Sequence, residues 1–269
     1  MPELPEVETT CRDLIRGQVI GQKIETIEVL WEPTLSNFTS EELLNTTIEG
    51  VSRRGKFIVL PLSSGQTLLI HLRMTGSLRV EPISSLADPY DRVTFFFEDR
   101  KLAFRDPRKF GRMTLTDNPE LILNKLGVEP LSDQFTPTLL HQMLGNRSRV
   151  MKTLLLDQSF IAGIGNIYAD ESLFKAKINP LRRANTITYE EAKELHGAIV
   201  TLLEGAIANR GTSLGDGKGN YASNGKRGEN AAKLKIFRKT GEACPVCTTP
   251  IERIVVGQRA THFCPECQK

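Results

Sequence analysis

Hydrophobic positions recur with three different periods along the chain. Pro5 suits the first position of a helix, and Val7, Cys11, Leu14 and Ile15 follow at helical spacing, so residues 5–16 read as a helix. Between about Gln22 and Thr116, short apolar runs alternate with turn residues, at 23–30, 47–52, 57–62, 67–72, 78–80, 93–97, 102–105 and 113–116. Eight such runs with no helical pattern between them predict a β-sandwich. After Asn118 the helical period returns. Pro137 opens one helix, and Thr188 with Glu191 makes a capping box for a long one ending near Gly211. The apolar stretch 151–174 is broken by Gly163-Ile164-Gly165-Asn166, a pattern compatible with an ordinary interhelical turn or with exposed N–H groups that hold a phosphate. Residues 212–231 hold five Gly and no strong apolar period, which predicts a loop of about twenty residues, longer than most connections in compact domains. Runs at 251–256 and 259–263 then flank Gly257-Gln258, a hairpin signal. The fold class is therefore α+β, divided at 1–118, 119–231 and 232–269.

Charge adds a partner to this picture. The formal net charge is only +3, but from Gly205 onward eleven Lys and Arg face five Asp and Glu. A small basic end on a near-neutral body suggests a polyanion. With 39% hydrophobic and 25% charged residues, no long apolar run, and Glu3, Glu6, Glu8 and Asp13 at the start, neither a membrane span nor a secretion signal is expected. The expectation is a cytoplasmic protein.

Cysteines add a metal. Cys244-Pro-Val-Cys247 and Cys264-Pro-Glu-Cys267 lie sixteen residues apart. In a chain without a secretion signal, paired knuckles at this separation read as a four-thiolate zinc site. Cys11 reads as a small hydrophobe of the first helix.

The start of the chain, Met1-Pro2-Glu3-Leu4-Pro5-Glu6-Val7-Glu8, offers either a capped helix or chemistry. Removal of the initiator Met leaves Pro2 with a free secondary amine. α-Amino groups titrate near 7.7–8.0, so such an amine attacks a sugar carbon with less tuning than a lysine needs. Glu3 and Glu6 stand beside it as acid and base candidates.

Together with that start, Arg105-Asp106-Pro107-Arg108-Lys109-Phe110-Gly111, Leu156-Asp157-Gln158, Gly163-Ile164-Gly165-Asn166-Ile167-Tyr168-Ala169-Asp170-Glu171 and the terminal cysteines resemble the formamidopyrimidine-DNA glycosylase and endonuclease VIII family. The motifs occur in the family's order over essentially the whole chain. Leu4 favours the bacterial formamidopyrimidine branch, since the sister branch typically starts Pro-Glu-Gly-Pro-Glu.

The resemblance implies an N-terminal catalytic sandwich, a helix-two-turn-helix DNA-binding domain with a lesion-recognition loop, and a zinc finger. It implies a base-excision glycosylase and AP lyase that removes oxidised purines from damaged double-stranded DNA and cuts the strand by β,δ-elimination. Pro2 is the implied nucleophile, Glu3 the proton donor and acceptor, and Lys56 the lysine near the lesion. His71, Asn166 and Arg259 are implied phosphate contacts. Phe110 wedges between base pairs, Met74 fills the vacated stack, and Arg108 faces the orphaned cytosine. One structural zinc, no catalytic metal, a monomer and association with the bacterial nucleoid complete the expectation. By themselves Met74 and Phe110 read equally as core, Lys56 and Arg108 as solvated charges, and His71 as a strand histidine.

One segment departs from the pattern. Lys233-Leu234-Lys235-Ile236-Phe237-Arg238-Lys239 stands where the family usually has Val-Tyr-Gly-Arg, and the loop before it lacks an aromatic-Gln pair. That leaves lesion preference open. A glycosylase for oxidised pyrimidines and a non-catalytic zinc-finger DNA-binding protein are the alternatives.

Overall fold

The computed structural model describes residues 1–215 and 221–269, which form two compact units. The first contains residues 1–124 and 209–231, and the second contains 125–208 and 232–269.

In the first unit, helix α1 (Leu4–Arg16) precedes eight antiparallel strands: β1 (Thr26–Val29), β2 (Ser52–Arg54), β3 (Phe57–Pro61), β4 (Thr67–His71), β5 (Ser77–Pro82), β6 (Asp91–Phe96), β7 (Arg100–Arg105) and β8 (Arg112–Thr116). They pair as two four-stranded sheets, β1-β6-β7-β5 and β2-β3-β4-β8. The strand count matches the alternation in the sequence. The run expected at 47–52 is displaced, because Thr47 and Ile48 make only isolated bridges and regular pairing starts at Ser52. Val7, Cys11 and Leu14 bury one face of α1 in a core with Ile58, Leu60, Leu68, Ile70, Phe95 and Phe104. Cys11 is 4% exposed, and burial pushes its thiol up to about 12, so it remains protonated.

Residues 209–231, expected to continue the helical region, pack with this first unit. The segment is not all loop. Ala222–Ser223 (β9) and Lys226–Arg227 (β10) form a short hairpin turning at Asn224 (φ 48°) and Gly225 (φ 73°). Asn-Gly is a strong hairpin signal, because both central residues of such a turn need positive φ. Positions 216–220 of the expected loop lie outside the described residues.

The second unit holds α3 (Pro137–Gly145), α4 (Met151–Leu155), α5 (Asn166–Lys175) and α6 (Tyr189–Ala208), while a short α2 (Glu120–Leu123) belongs to the first. Thr136 caps α3 by accepting from Leu139 N at 3.1 Å. The expected box before α6 forms, with Thr188 N donating to Glu191 at 2.9 Å and Glu191 N to Thr188 Oγ1 at 3.3 Å. Helix α6 stops at Ala208, just before Arg210 and Gly211 adopt positive φ. The C-terminal hairpin pairs β11 (Glu252–Val256) with β12 (Arg259–Phe263) around Gly257 and Gln258, both at positive φ. This finger packs with the helices of its unit and is not a separate body. A buried carboxylate explains part of that packing: Glu171 of α5 accepts the N–H groups of Lys235, Ile236 and Phe237 at 2.9–3.0 Å.

Candidate active site

The first turn of α1 gathers the candidate chemistry of the N-terminus. Pro2 is buried, and Glu3 and Glu6 are 2% and 1% exposed. Glu3 is the N-cap, and the Glu6 carboxylate reaches back to accept from Glu3 N at 2.8 Å. The other Glu6 oxygen accepts from Thr212 N at 2.7 Å, and the Tyr221 hydroxyl donates to the Glu6 carbonyl at 2.9 Å. Burial, reinforced by the nearby Glu6 carboxylate, pushes the Tyr221 phenol well above its usual range, so it stays a donor. The capping residues and the candidate acid and base are thus the same two glutamates. The box that starts the helix is also what holds two carboxylates beside Pro2.

Lys56 and His71 lie together at the end of the β3-β4 pair. Lys56 follows Gly55 (φ 56°) in the β2-β3 turn and is 5% exposed. His71 ends β4 opposite Phe57, whose ring meets the imidazole edge-on at 4.9 Å. Burial lowers the His71 pKa to about 3, and the charges of Arg73 and Lys56 push the same way. Its Nδ1 accepts from Arg73 N at 3.0 Å. A backbone N–H can only donate, so the proton of this neutral imidazole sits on Nε2. His71 is therefore a neutral donor.

Met74 and the pair Arg108 and Phe110 sit on two turns that share one anchor. Asp106 accepts from the Thr75 hydroxyl, from Arg108 N at 3.2 Å and from Gly111 N at 2.7 Å. Its carbonyl accepts from Arg92 Nε at 2.8 Å. At Gly111 a Cβ would lie 2.2 Å from the Phe104 ring, so only glycine closes this turn. Lys109 takes a left-handed φ of 61° and lays its ammonium 3.8 Å from the Trp31 ring. The tip is left outward. Phe110 is 46% exposed, with the Arg108 guanidinium 4.8 Å over its ring. The tie through Asp106 and Thr75 was not read from the sequence, although Asp106 stands inside a quoted motif.

In the second unit, Asn166 starts α5 and donates from Nδ2 to the Ala260 carbonyl at 2.9 Å, the residue after Arg259. Asp170, one turn on, accepts from His262 N at 2.9 Å and from its Nδ1 at 3.0 Å, and pairs with Lys152 at 2.5 Å. Asn166 and the strand bearing Arg259 are thereby built as one piece. Arg259 itself is exposed.

The four cysteines converge as expected. Sγ of Cys244 lies 3.8 Å from Cys267 and that of Cys247 lies 3.4 Å from Cys264, with all four sulfurs within 4.8 Å of one another. A tetrahedron with Zn–S bonds of about 2.3 Å has edges of about 3.8 Å, so the set fits one zinc ion. Without an ion, hydrogen bonds from Thr249 lower the Cys247 thiol to about 6, whereas burial raises those of Cys264 and Cys267. Four thiolates close the coordination shell, which makes the zinc structural.

Residues 1–113 match the Formamidopyrimidine-DNA glycosylase N-terminal domain, residues 126–216 the Formamidopyrimidine-DNA glycosylase H2TH domain, and residues 241–269 a zinc finger found in FPG and IleRS. The chain is 46% identical to the formamidopyrimidine-DNA glycosylase of Protochlamydia amoebophila over all of both chains. It is 44% identical to that of Herpetosiphon aurantiacus, again over both full lengths. Among solved structures it resembles a Lactococcus lactis FPG mutant in complex with DNA containing Fapy-dG, at a TM-score of 0.92 and 36% identity over 100% of each chain. The wild-type Lactococcus lactis protein with N7-benzyl-Fapy-dG DNA is similar at 0.90 and 36%, with the same coverage. Among the described residues no helix is long and apolar enough to cross a membrane. Matched in all three segments and along its full length, the chain belongs to the formamidopyrimidine-DNA glycosylase family.

Proposed function

We propose that this protein excises oxidised purines from duplex DNA and then cleaves the strand at the resulting abasic site, with Pro2 as nucleophile. The observation that carries the reading is the head of α1, where Pro2 is buried with Glu3 and Glu6 in a capping box inside a family-matched domain. After loss of Met1, the Pro2 nitrogen attacks C1′ of the damaged nucleotide and the bond from C1′ to the base breaks. The base leaves with a proton and the Pro2 N–H proton is lost; the nitrogen lone pair then forms an iminium with C1′ as the C1′–O4′ bond breaks and O4′ takes a proton. Glu3 shuttles the proton at the opened sugar. Removal of a C2′ proton then expels the 3′ phosphate, and a second elimination expels the 5′ phosphate. Glu6, with both oxygens accepting N–H groups, holds Glu3 and Thr212 in place.

The other candidates serve extrusion and grip. His71, neutral with its proton on Nε2, donates to a phosphate without adding charge. Lys56, Asn166 and Arg259 complete the phosphate contacts. Phe110, exposed at a rigid tip, enters the stack, Met74 fills the space left by the base, and Arg108 donates to the acceptors of the orphaned cytosine. Zinc held by Cys244, Cys247, Cys264 and Cys267 fixes the hairpin bearing Arg259. A protein acting on duplex DNA in this way would work in the cytoplasm, at the bacterial nucleoid.

Borohydride trapping on duplexes with oxidised guanine, a formamidopyrimidine or an oxidised pyrimidine tests the reading. The expected result is a covalent adduct at Pro2 that forms fastest on the purine lesions. Retention of Met1 in active enzyme, seen by intact mass, would refute the nucleophile. Faster trapping on the pyrimidine lesion would refute the substrate class.

A further inference from the structure

Asp13 occupies an unfavourable place for an acid. It lies in the last turn of α1, where a carboxylate faces the negative end of the helix, and it is only 6% exposed. Its burial is offset by a dense set of donors. Arg210 grips it with both terminal nitrogens, at 3.1 and 2.6 Å, Ser223 donates at 2.6 Å, and Arg16 of the same helix reaches it at 3.3 Å. Arg210 adopts a left-handed φ of 58° to do so, a conformation that costs a non-glycine residue free energy.

These donors come from two arms. One is residues 209–213, the other 221–228, and both also reach the head of α1 through Thr212 N and the Tyr221 hydroxyl on Glu6. The fit there is close. A Cβ at Gly211 would stand 2.9 Å from the Glu6 carboxylate and 3.1 Å from the Tyr221 ring. The arms are cross-tied by Ser213, which donates to the Tyr221 carbonyl at 2.5 Å and accepts from Gly228 N at 2.8 Å. Glu6 and Asp13 therefore hold the arms at two points roughly 10 Å apart along the helix.

We propose that Asp13, with Arg210 and Ser223, is a positioning set that fixes the wall beside Pro2 and Glu3 and thereby governs excision of a damaged base. This rests on the reading of Pro2 as the nucleophile. Because Glu6 bonds both Glu3 N and Thr212 N, the arms stand next to the groups that flank Pro2, and a base brought to the amine meets them, so small displacements of the arms are costly. A sugar that has already lost its base needs no wall. Its cleavage depends on Pro2 and the Glu3 and Glu6 box, which Asp13 does not touch.

The test is single-turnover cleavage of two duplexes, one with an oxidised guanine and one with a preformed abasic site at the same position. Asp13→Asn should slow excision by about tenfold or more and change abasic-site cleavage by less than about twofold. Ser223→Ala should show the same split at smaller amplitude, and the double variant should lose less than the sum of the two single losses because both changes act on one carboxylate. Asp13→Glu should recover part of the loss. If Asp13→Asn does not fold, Ser223→Ala alone carries the comparison. Equal losses on both duplexes, or unchanged excision, would overturn the proposal. Failure of the wild-type enzyme to form a borohydride adduct on either duplex would instead overturn the nucleophile on which it rests.

Discussion

Replacing Asp170 by Asn should be among the most damaging single changes outside the nucleophile region. Lys152 and Asp170 are paired at 2.5 Å with both side chains 0% exposed. Losing one partner of a buried ion pair costs about 3–5 kcal/mol, because the other charge stays buried and uncompensated. An independent limit gives the same range. The stranded lysine can escape by losing its proton, and neutralising an amine of ordinary pKa about 10.4 at pH 7 costs about 4.6 kcal/mol. That limit sets a pH dependence. In the variant, Lys152 is neutral when folded and protonated when unfolded, so the unfolded state binds more protons and stability rises with pH. The deficit relative to wild type should shrink by about 1.4 kcal/mol per pH unit, or about 2.8 kcal/mol between pH 7 and pH 9. Urea unfolding followed by circular dichroism at both values measures it. Adding Lys152→Met should restore more than half of the loss, since the remaining Asn still accepts from His262 N. DNA affinity should fall with stability, because Lys152 also donates to the Asn166 carbonyl at 3.2 Å and Asp170 holds the strand of Arg259 through His262. A deficit below about 1 kcal/mol, or one that does not change with pH, would refute the reasoning.

Arg108→Ala should reduce excision opposite cytosine more than opposite adenine, by about 1–3 kcal/mol, while Phe110→Ala should slow it for every opposing base; equal losses for Arg108→Ala, read in single-turnover assays, would reject its contact with the orphaned base. Cys247→Ser should leave the purified chain short of its one zinc by elemental analysis and weaken DNA binding more than it lowers the melting of the first unit. His71 has its pKa lowered to about 3, so the unfolded state binds more protons between about pH 6.5 and pH 3 and stability falls as pH drops through that window; His71→Gln should flatten the fall in acid titrations. Arg238 adopts a φ of 63°, so Arg238→Gly should raise stability by up to about 1 kcal/mol in urea melts, and a lower midpoint would contradict the strain.

Local chemistry wrote much of this protein into its sequence. The apolar runs between turn residues over 22–116 were legible as eight strands because the inner strands β3, β4, β6 and β7 are buried almost along their length and turns must separate them, and the periods of α1, α3 and α6 follow from their buried stripes. The spacing of Cys244, Cys247, Cys264 and Cys267 sufficed for the metal, because a tetrahedral ion accepts few ligand geometries. The Thr188 and Glu191 box and the Gly257-Gln258 turn were legible for the same reason: their partners are three residues or fewer apart. Candidate site residues were legible as chemical types in motifs, but their states were not. That His71 is neutral with its proton on Nε2 depends on burial, on Lys56 and Arg73, and on one backbone N–H. The grouping of 209–231 with the sandwich was also invisible, since its anchors join Asp13 to Arg210 and Glu6 to Thr212 across about two hundred residues. Likewise Thr75 and Asp106 tie two turns that no periodicity relates. Sequence patterns report contacts whose partners are close along the chain or repeat with a fixed period. A buried carboxylate recruits whichever donors the tertiary fold brings to it, and only the fold decides which those are.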